Sequence, residues 1–124
     1  MLTIVLVGLG GAIGSVLRHL ISARVQHWSH SGFPWGTFAV NGIGSFLIGV
    51  VFAFFDRGFY SNDLLVFLVA GILGGYTTFS TFSLENMKLI ENRHFDWLLY
   101  NTAGQVAGGL LLAATGFLAG TAVF

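Results

Sequence analysis

The sequence predicts an all-α membrane protein with four transmembrane helices, the third of which is broken at mid-membrane. Its 124 residues are 55% hydrophobic and only 8% charged, whereas a soluble domain carries about a quarter charged residues. The apolar residues form four stretches, each long enough for a helix that crosses a bilayer, which takes about 20 residues. The third stretch contains glycines and hydroxyl residues that a plain lipid-exposed helix would not tolerate.

Composition also excludes several classes of protein. The formal net charge is zero, so the chain offers no basic surface to meet the phosphates of a nucleic acid. The absence of cysteine excludes disulfide scaffolds and thiolate metal sites. The length suits one transmembrane domain, residues 1–124, and all function is expected to lie within the helical bundle.

The first two spanning helices are expected at about residues 2–23 and 36–55. The first has Arg18 near its end and lacks the basic start and cleavage site of a signal peptide, so we expect it in the mature protein. The second contains no charged residue, and Pro34, the only proline, stands just before it. Proline favours the first turn of a helix, because its missing N–H group needs no partner there.

The third spanning helix is expected at about residues 64–90, and the fourth at about 97–124. The third contains the run Gly74-Gly75-Tyr76-Thr77-Thr78-Phe79-Ser80-Thr81-Phe82-Ser83. Membrane proteins place non-helical backbone only where it is buried in protein or lines a wet cavity, and such breaks are frequent sites of ion and substrate binding. The run therefore predicts a break at the glycines and a transport site beside it.

Small residues recur at four-residue spacing throughout the chain. Such pairs let the backbones of membrane helices approach closely. Four helices nevertheless enclose too little interior for an aqueous path, which favours an oligomer. The pairs are Gly10 and Gly14, Gly11 and Ser15, Ser45 and Gly49, Gly71 and Gly75, Gly104 and Gly108, and Gly116 and Gly120.

The basic residues leave the orientation of the chain open. Arg18, Arg24, Lys88 and Arg93 fall on one side of the predicted bundle, and Arg57 falls on the other. If Arg18 and Lys88 belong to helix ends, the positive-inside rule gives only a mild preference. The fuller count suits one fixed orientation, whereas a weak bias suits a protein that inserts both ways.

Uncharged polar side chains are expected within the bilayer. Thr37, Asn41 and Ser45 are spaced i, i+4, i+8, which places them on one helical face. The Asn41 amide could form an interhelical hydrogen bond or could replace water around an anion. Asn101 and Gln105 share a face of the fourth helix, where they could supply donors or tie helices together.

Two phenylalanines follow the predicted break. Phe79 and Phe82 are three residues apart and project from one face if the helix resumes. The edge of an aromatic ring is electropositive and can attract an anion without trapping it. Ser80, Thr81 and Ser83 alternate with the rings and add neutral hydrogen-bond donors.

These residues resemble the Fluc (CrcB) family of fluoride channels over essentially the whole chain. The specific part of the resemblance is the run from Gly74 to Ser83, with Glu85 after it. The glycine motif of the first helix, alone a weak signal, is Gly10-Gly11 with Gly14 and Arg18, and the second helix contributes Gly36-Thr37-Phe38-Ala39-Val40-Asn41.

The resemblance implies an antiparallel, dual-topology dimer with two fluoride pores, each lined by both subunits. It implies that Asn41, Phe79 and Phe82 line the pore, with Ser80, Thr81 and Ser83 as further contacts. It also implies a structural sodium ion at the centre of the dimer interface, held by the main-chain carbonyls of Gly74 and Thr77. Arg18, Thr37, Glu85 and Gln105 are candidates for a vestibule or polar track.

The function implied is passive, fluoride-selective export from the cytoplasm through the inner membrane of a prokaryotic cell, which lowers fluoride toxicity. A pore for this strongly hydrated ion must offer close neutral donors that still release it. The partner subunit could be an identical chain or a related one of opposite orientation.

The main alternative is a small four-helix, dual-topology drug/proton antiporter. Such a carrier needs an ionisable group near the middle of the membrane, and the first segment has no carboxylate. A structural membrane subunit would leave the hydroxyl run unexplained. An enzyme is not expected, since the four histidines lack metal-ligand spacing and a nucleophile partner.

Overall fold

The protein is an all-α bundle with four long apolar helices, as the composition predicts. The architecture is taken from a computed structural model, which describes residues 1–58 and 61–124. Helix α1 spans Leu2–Ser29 and α2 spans Trp35–Asp56. The third span, Asn62–Glu91, is built from several segments, and the fourth is a single helix, α6, at Phe95–Val123.

The third span changes helix type before it breaks. It begins with α3 (Asn62–Leu65), continues as a π-helix (Val66–Leu73) and returns to α-helix in α4 (Gly74–Tyr76). After two extended residues it resumes as α5 (Phe79–Glu91). Because π-helices are wider than α-helices and occur mostly at functional sites, this change of type marks the region just before the break.

The helices pack in two pairs. Helix α2 packs along α6, and α1 packs along the π-helix and α4, while α1 and α2 join the pairs. Glycines permit the close approach within both pairs. A Cβ atom on Gly14 would clash with the carbonyl oxygen of Ile72, and one on Gly49 would clash with that of Ala113.

Helix α1 is longer than the sequence predicts, since it continues past residue 23 to Ser29. A side chain near its end organises the connection that follows. The amide nitrogen of Gln26 donates to the carbonyl oxygens of Ser31 and Phe33, at 2.9 Å each, and its amide oxygen accepts from Gly36 N–H at 3.0 Å. Gln26 thus holds both the connection and the first turn of α2, which begins right after Pro34.

Most of the apolar surface of this single subunit is exposed. Large hydrophobic side chains protrude from every spanning helix, for example Leu9, Phe52 and Leu111, each 58% exposed or more. The buried hydrophobic side chains form a small core that includes Val40, Leu73 and Phe82. A surface of this kind suits contact with lipid and with other helices.

Candidate functional site

The break in the third span lies at Thr77 and Thr78. Thr77 has φ −79° and ψ 155°, and Thr78 has φ −148° and ψ 120°, so both are extended. The predicted position, at the glycine pair, is wrong by a few residues, since Gly74 and Gly75 are helical. The glycines serve packing instead, because a Cβ atom on Gly75 would lie 2.5 Å from the carbonyl oxygen of Gly11.

The hydroxyl groups of the two threonines stabilise the helix ends beside the break. The Thr77 hydroxyl donates to the Leu73 carbonyl at 3.0 Å and satisfies part of the end of α4. The Thr78 hydroxyl oxygen accepts from Thr81 N–H at 3.3 Å, which makes Thr78 the N-cap of α5.

Asn41 pairs with the backbone of Thr78 in both directions. Its amide oxygen accepts from Thr78 N–H at 2.9 Å, and its amide nitrogen donates to the Thr78 carbonyl at 3.1 Å. The side chain thereby replaces the helical partners that the backbone loses at the break. Thr78 is buried, so these groups would otherwise be costly to leave unpaired.

The second amide hydrogen of Asn41 is also engaged, because it is donated to the Gln105 amide oxygen at 2.8 Å. The Gln105 amide nitrogen donates to Asn101 at 2.9 Å, and the Asn101 amide nitrogen donates to Asn86 at 2.8 Å. Asn101 is completely buried. The sequence left open whether Asn101 and Gln105 tie helices together, and they take part in such a network here.

The two phenylalanines occupy different environments. Their ring centroids are 5.5 Å apart. Phe82 is 8% exposed, whereas Phe79 is 78% exposed. Phe82 therefore belongs to the interior of this subunit, and Phe79 projects out of it beside the break.

The three hydroxyl residues that alternate with the rings differ in their free hydrogens. Ser83 donates to the Phe79 carbonyl at 3.0 Å, so its hydrogen is used within α5. Thr81 accepts the Thr78 hydroxyl hydrogen at 3.1 Å, which leaves its own hydrogen available. The Ser80 hydroxyl lies 3.3 Å from that of Thr78. Because the Thr78 hydrogen goes to Thr81, Ser80 must donate in this contact, and Thr81 is the residue of the three best placed to donate to a ligand.

Two cavities meet at Thr78. One, of about 280 Å³, is polar and is bordered by Arg18, Thr37 and Thr81 as well as Thr78. The other, of about 450 Å³, opens at the surface of the subunit. Its lining includes Asn41, Gly74, Thr77, Thr78 and Phe79. The break therefore separates the cavities by the width of about one residue, and Arg18 borders the polar one.

Glu85 lies beyond the break on α5, close to α2. The Thr37 hydroxyl donates to one of its carboxylate oxygens at 2.7 Å. The other carboxylate oxygen is buried and has no hydrogen-bond partner among the described residues. Thr37 is thus the partner through which Glu85 is held near the polar cavity.

Two polar residues that form important hydrogen bonds in the bundle were not singled out from the sequence. Gln26 organises the connection between α1 and α2, and Asn86 links α5 to Asn101 and, at 3.1 Å, to the Thr102 hydroxyl. The available signal was their chemistry, because an amide in or beside an apolar helix must find a partner.

The fold and the site define a multi-pass membrane protein whose broken third span is lined by uncharged polar groups. The family described as "CrcB-like protein, Camphor Resistance (CrcB)" matches residues 5–117. The chain belongs to this family.

Curated relatives are similar over nearly their full length. A protein of Thermus thermophilus is 43% identical over 118 residues, which cover 95% of this chain and 93% of the relative. One of Phocaeicola vulgatus is 40% identical over 111 residues, covering 90% and 92%, and one of Magnetococcus marinus is 42% identical over 115 residues, covering 92% and 94%. Each is named "Fluoride-specific ion channel FluC". These relatives are therefore ion channels by name and not enzymes.

Proposed function

We propose that this protein is a fluoride-selective channel that lets fluoride leave the cytoplasm down its electrochemical gradient and so lowers fluoride toxicity. The observation that carries the proposal is the similarity to proteins named as fluoride channels, at 40–43% identity over nine-tenths or more of both chains. The multi-pass architecture fits a position in the inner membrane of a prokaryote.

The chemistry at the break suits a small anion. The side chains that bond to Thr78 are an amide and hydroxyls, all uncharged, and a phenylalanine ring lines the cavity beside it. Neutral dipoles can replace part of the water around fluoride, yet they hold the ion weakly enough to release it. The hydroxyl of Thr81, with the ring edges of Phe79 and Phe82, supplies the main proposed ligands, and Ser80 and Ser83, whose hydrogens are bonded within the subunit, are weaker candidates.

Asn41 acts in this proposal mainly through Thr78. Both of its amide hydrogens are already bonded within the subunit, so it reaches the ion only if one of these bonds opens. Its constant contribution is to keep the extended backbone of Thr78 between the two cavities.

A second subunit completes the proposed pore. Phe79 is 78% exposed beside a cavity that opens at the surface, and an exposed aromatic ring beside an open cavity is well suited to contact with another chain. We propose an antiparallel, dual-topology dimer, in which the partner is an identical chain or a related one of opposite orientation.

The donors at the break also fit a structural sodium ion. In a continuous helix, the N–H group of Thr78 would bond to the carbonyl of Gly74, but here it is donated to Asn41. The Gly74 carbonyl thereby loses its usual partner, and Thr77, also at the break, borders the same cavity. Unwound backbone carbonyls are typical sodium ligands, so Gly74 and Thr77 are the proposed ligands.

Arg18 and Glu85 are proposed to act at the ends of the path. The Arg18 side chain borders the polar cavity and would raise the local concentration of anions. Glu85, held by Thr37, would shape the polar track with Gln105.

Fluoride efflux from liposomes tests the proposal. Purified protein is reconstituted, and efflux of fluoride and chloride is recorded with ion-selective electrodes at matched gradients. We expect rapid fluoride efflux, little chloride efflux and no requirement for a proton gradient. Fluoride leakage no faster than in empty vesicles would refute the proposal, and strict coupling to protons would favour a carrier.

A pair of phenylalanine variants tests the proposed pore in the same assay. Phe82→Ile should reduce fluoride efflux by about tenfold or more, since it removes a buried ring edge at the break. Phe52→Ile is the matched control, because Phe52 is 63% exposed on α2. Equal rates for the two variants would remove Phe82 from the pore.

A further inference from the structure

The side-chain amides form one continuous hydrogen-bonded chain that begins and ends on the third span. It leaves α5 at Asn86, crosses α6 through Asn101 and Gln105, reaches α2 at Asn41 and returns to the backbone at Thr78. Every link is between 2.8 and 2.9 Å long.

The orientation of every amide in this chain is determined by the backbone. The N–H group of Thr78 can only donate and its carbonyl can only accept, so Asn41 has one possible orientation. The amide nitrogen of Asn41 then donates to Gln105, which must accept with its amide oxygen. The same rule passes to Asn101, so Asn41, Gln105 and Asn101 each donate to the next amide toward Asn86.

The hydrogen-bonded chain of amides is attached on both sides of the part of α5 that carries the residues proposed to contact fluoride. Both of its ends, Thr78 and Asn86, flank the segment that contains Phe79 and Phe82. Helix α5 packs less extensively against α6 than α2 does. The buried amide of Asn101 is therefore a principal tie between these two helices.

We propose that Asn101 and Asn86 are positioning residues, which act through Gln105 and Asn41 to hold the extended backbone of Thr78. They need not touch the permeating ion. The inference concerns how the break is maintained, and its consequence for ion flow rests on the proposed channel function.

The linear order of the chain gives a sharp test. Asn101 reaches Asn41 only through Gln105. We therefore compare Asn101→Leu, Gln105→Met and the double variant, all similar in volume to the natural side chains. If the inference holds, the effect of the double variant is smaller than the product of the two single effects, because Asn101 acts on Asn41 through Gln105. Independent structural effects would instead multiply.

The first readout is backbone hydrogen exchange at Thr78, measured by mass spectrometry on the purified protein in nanodiscs. Its N–H group is bonded to the Asn41 side chain, so loosening Asn41 should expose it. We expect exchange to accelerate about threefold to thirtyfold in each single variant, the range that corresponds to one interhelical hydrogen bond, and by less than the product of the two factors in the double variant.

The matched control is Asn92→Leu, which removes an amide whose one hydrogen-bond partner among the described residues is the Lys88 carbonyl at the end of α5. It should leave exchange at Thr78 unchanged. Unchanged exchange in Asn101→Leu, or a double variant whose effect is the product of the two single effects, would overturn the inference.

Fluoride efflux of the same variants is the second readout. We expect about threefold to thirtyfold slower efflux in each single variant and the same non-additivity. Absence of efflux from the wild-type protein would refute the proposed function alone, because the exchange measurement would still decide whether the amide chain holds Thr78.

Discussion

At the scale of single residues, Asn41 acts as a substitute for a missing peptide group. Its amide oxygen accepts from the N–H group of Thr78 and its amide nitrogen donates to the Thr78 carbonyl, as the backbone of a neighbouring strand would. The extended conformation of Thr78 is therefore stable without water, even though the residue is buried. One uncharged side chain on α2 thus permits a break in a different helix.

Tyr76 is the residue beside the break whose hydroxyl has no evident role. The side chain is 4% exposed, and its hydroxyl oxygen is buried with no hydrogen-bond partner among the described residues. An unpaired buried hydroxyl costs about 1–3 kcal/mol. We expect Tyr76→Phe to leave fluoride efflux unchanged and to raise the free energy of unfolding by up to about 1–2 kcal/mol.

Thermal unfolding of the detergent-solubilised protein checks this expectation. Tyr100→Phe is the control, since Tyr100 is 65% exposed on α6 and its change should have no effect. A lower melting temperature for Tyr76→Phe would show that the hydroxyl forms a hydrogen bond in the assembled protein.

The chemistry of the site was more predictable than its bonding. The i, i+4, i+8 spacing of Thr37, Asn41 and Ser45 depends only on helix geometry, and it indicated which side chains face the bundle. The bond from Thr37 to Glu85 could not be predicted, because it joins residues 48 positions apart. Such pairings depend on how the helices dock.

At the scale of helices, the third span shows how two adjacent glycines can mislead. Glycine is a common signal for a break, but Gly74 and Gly75 stay helical. Gly75 packs against the backbone of Gly11, whereas the extended residues are two β-branched threonines. The break is located by its external partner on α2, which the local sequence does not reveal. The preceding π-helix has no signal in the periodicity either.

The contact between α1 and the third span is the most restrictive helix packing near the site. Gly14 lies against the segment just before the break, where an added Cβ atom would clash with Ile72 and lie 2.8 Å from the backbone nitrogen of Tyr76. We expect Gly14→Ala to destabilise the fold by about 1–3 kcal/mol and to slow fluoride efflux, because α4 must move away from α1.

Gly8→Ala is the matched control on the same helix. A Cβ atom on Gly8 meets nothing within 4 Å among the described residues. Melting temperature and efflux are measured for both variants in the same detergent and lipid. Equal behaviour of the two variants would contradict the proposed packing constraint.

At the scale of the whole molecule, the four spans were predictable because the length and polarity of an apolar stretch are local properties. The end of α1 at Ser29 was not predictable. The connection after it is organised by bonds from Gln26 to Phe33 and Gly36, which depend on the path of the folded backbone. The exposure of Phe79 belongs to the same category, since it depends on how α5 docks against the other helices.

The proposed sodium site links the break to assembly, because its ligands are main-chain carbonyls at the surface of one subunit. Gly74 and Thr77 border the cavity that opens outward. A cation there would neutralise the inward carbonyls of two apposed subunits and hold them together. We expect replacement of sodium by N-methyl-glucamine to reduce both the dimer fraction and fluoride efflux, and we expect potassium to restore them poorly.

Size-exclusion chromatography with light scattering measures the dimer fraction, and the electrode assay measures efflux, at equal ionic strength. Side-chain substitution cannot remove the carbonyl ligands, so Thr77→Val serves as the control. It deletes the hydroxyl that bonds to Leu73 but keeps the carbonyl, and the variant should show the same sodium dependence as the unmodified protein. If assembly and efflux are identical in all three cations, the carbonyls at the break hold no sodium, and the proposed dimer would have to rest on other contacts, such as the one proposed for Phe79.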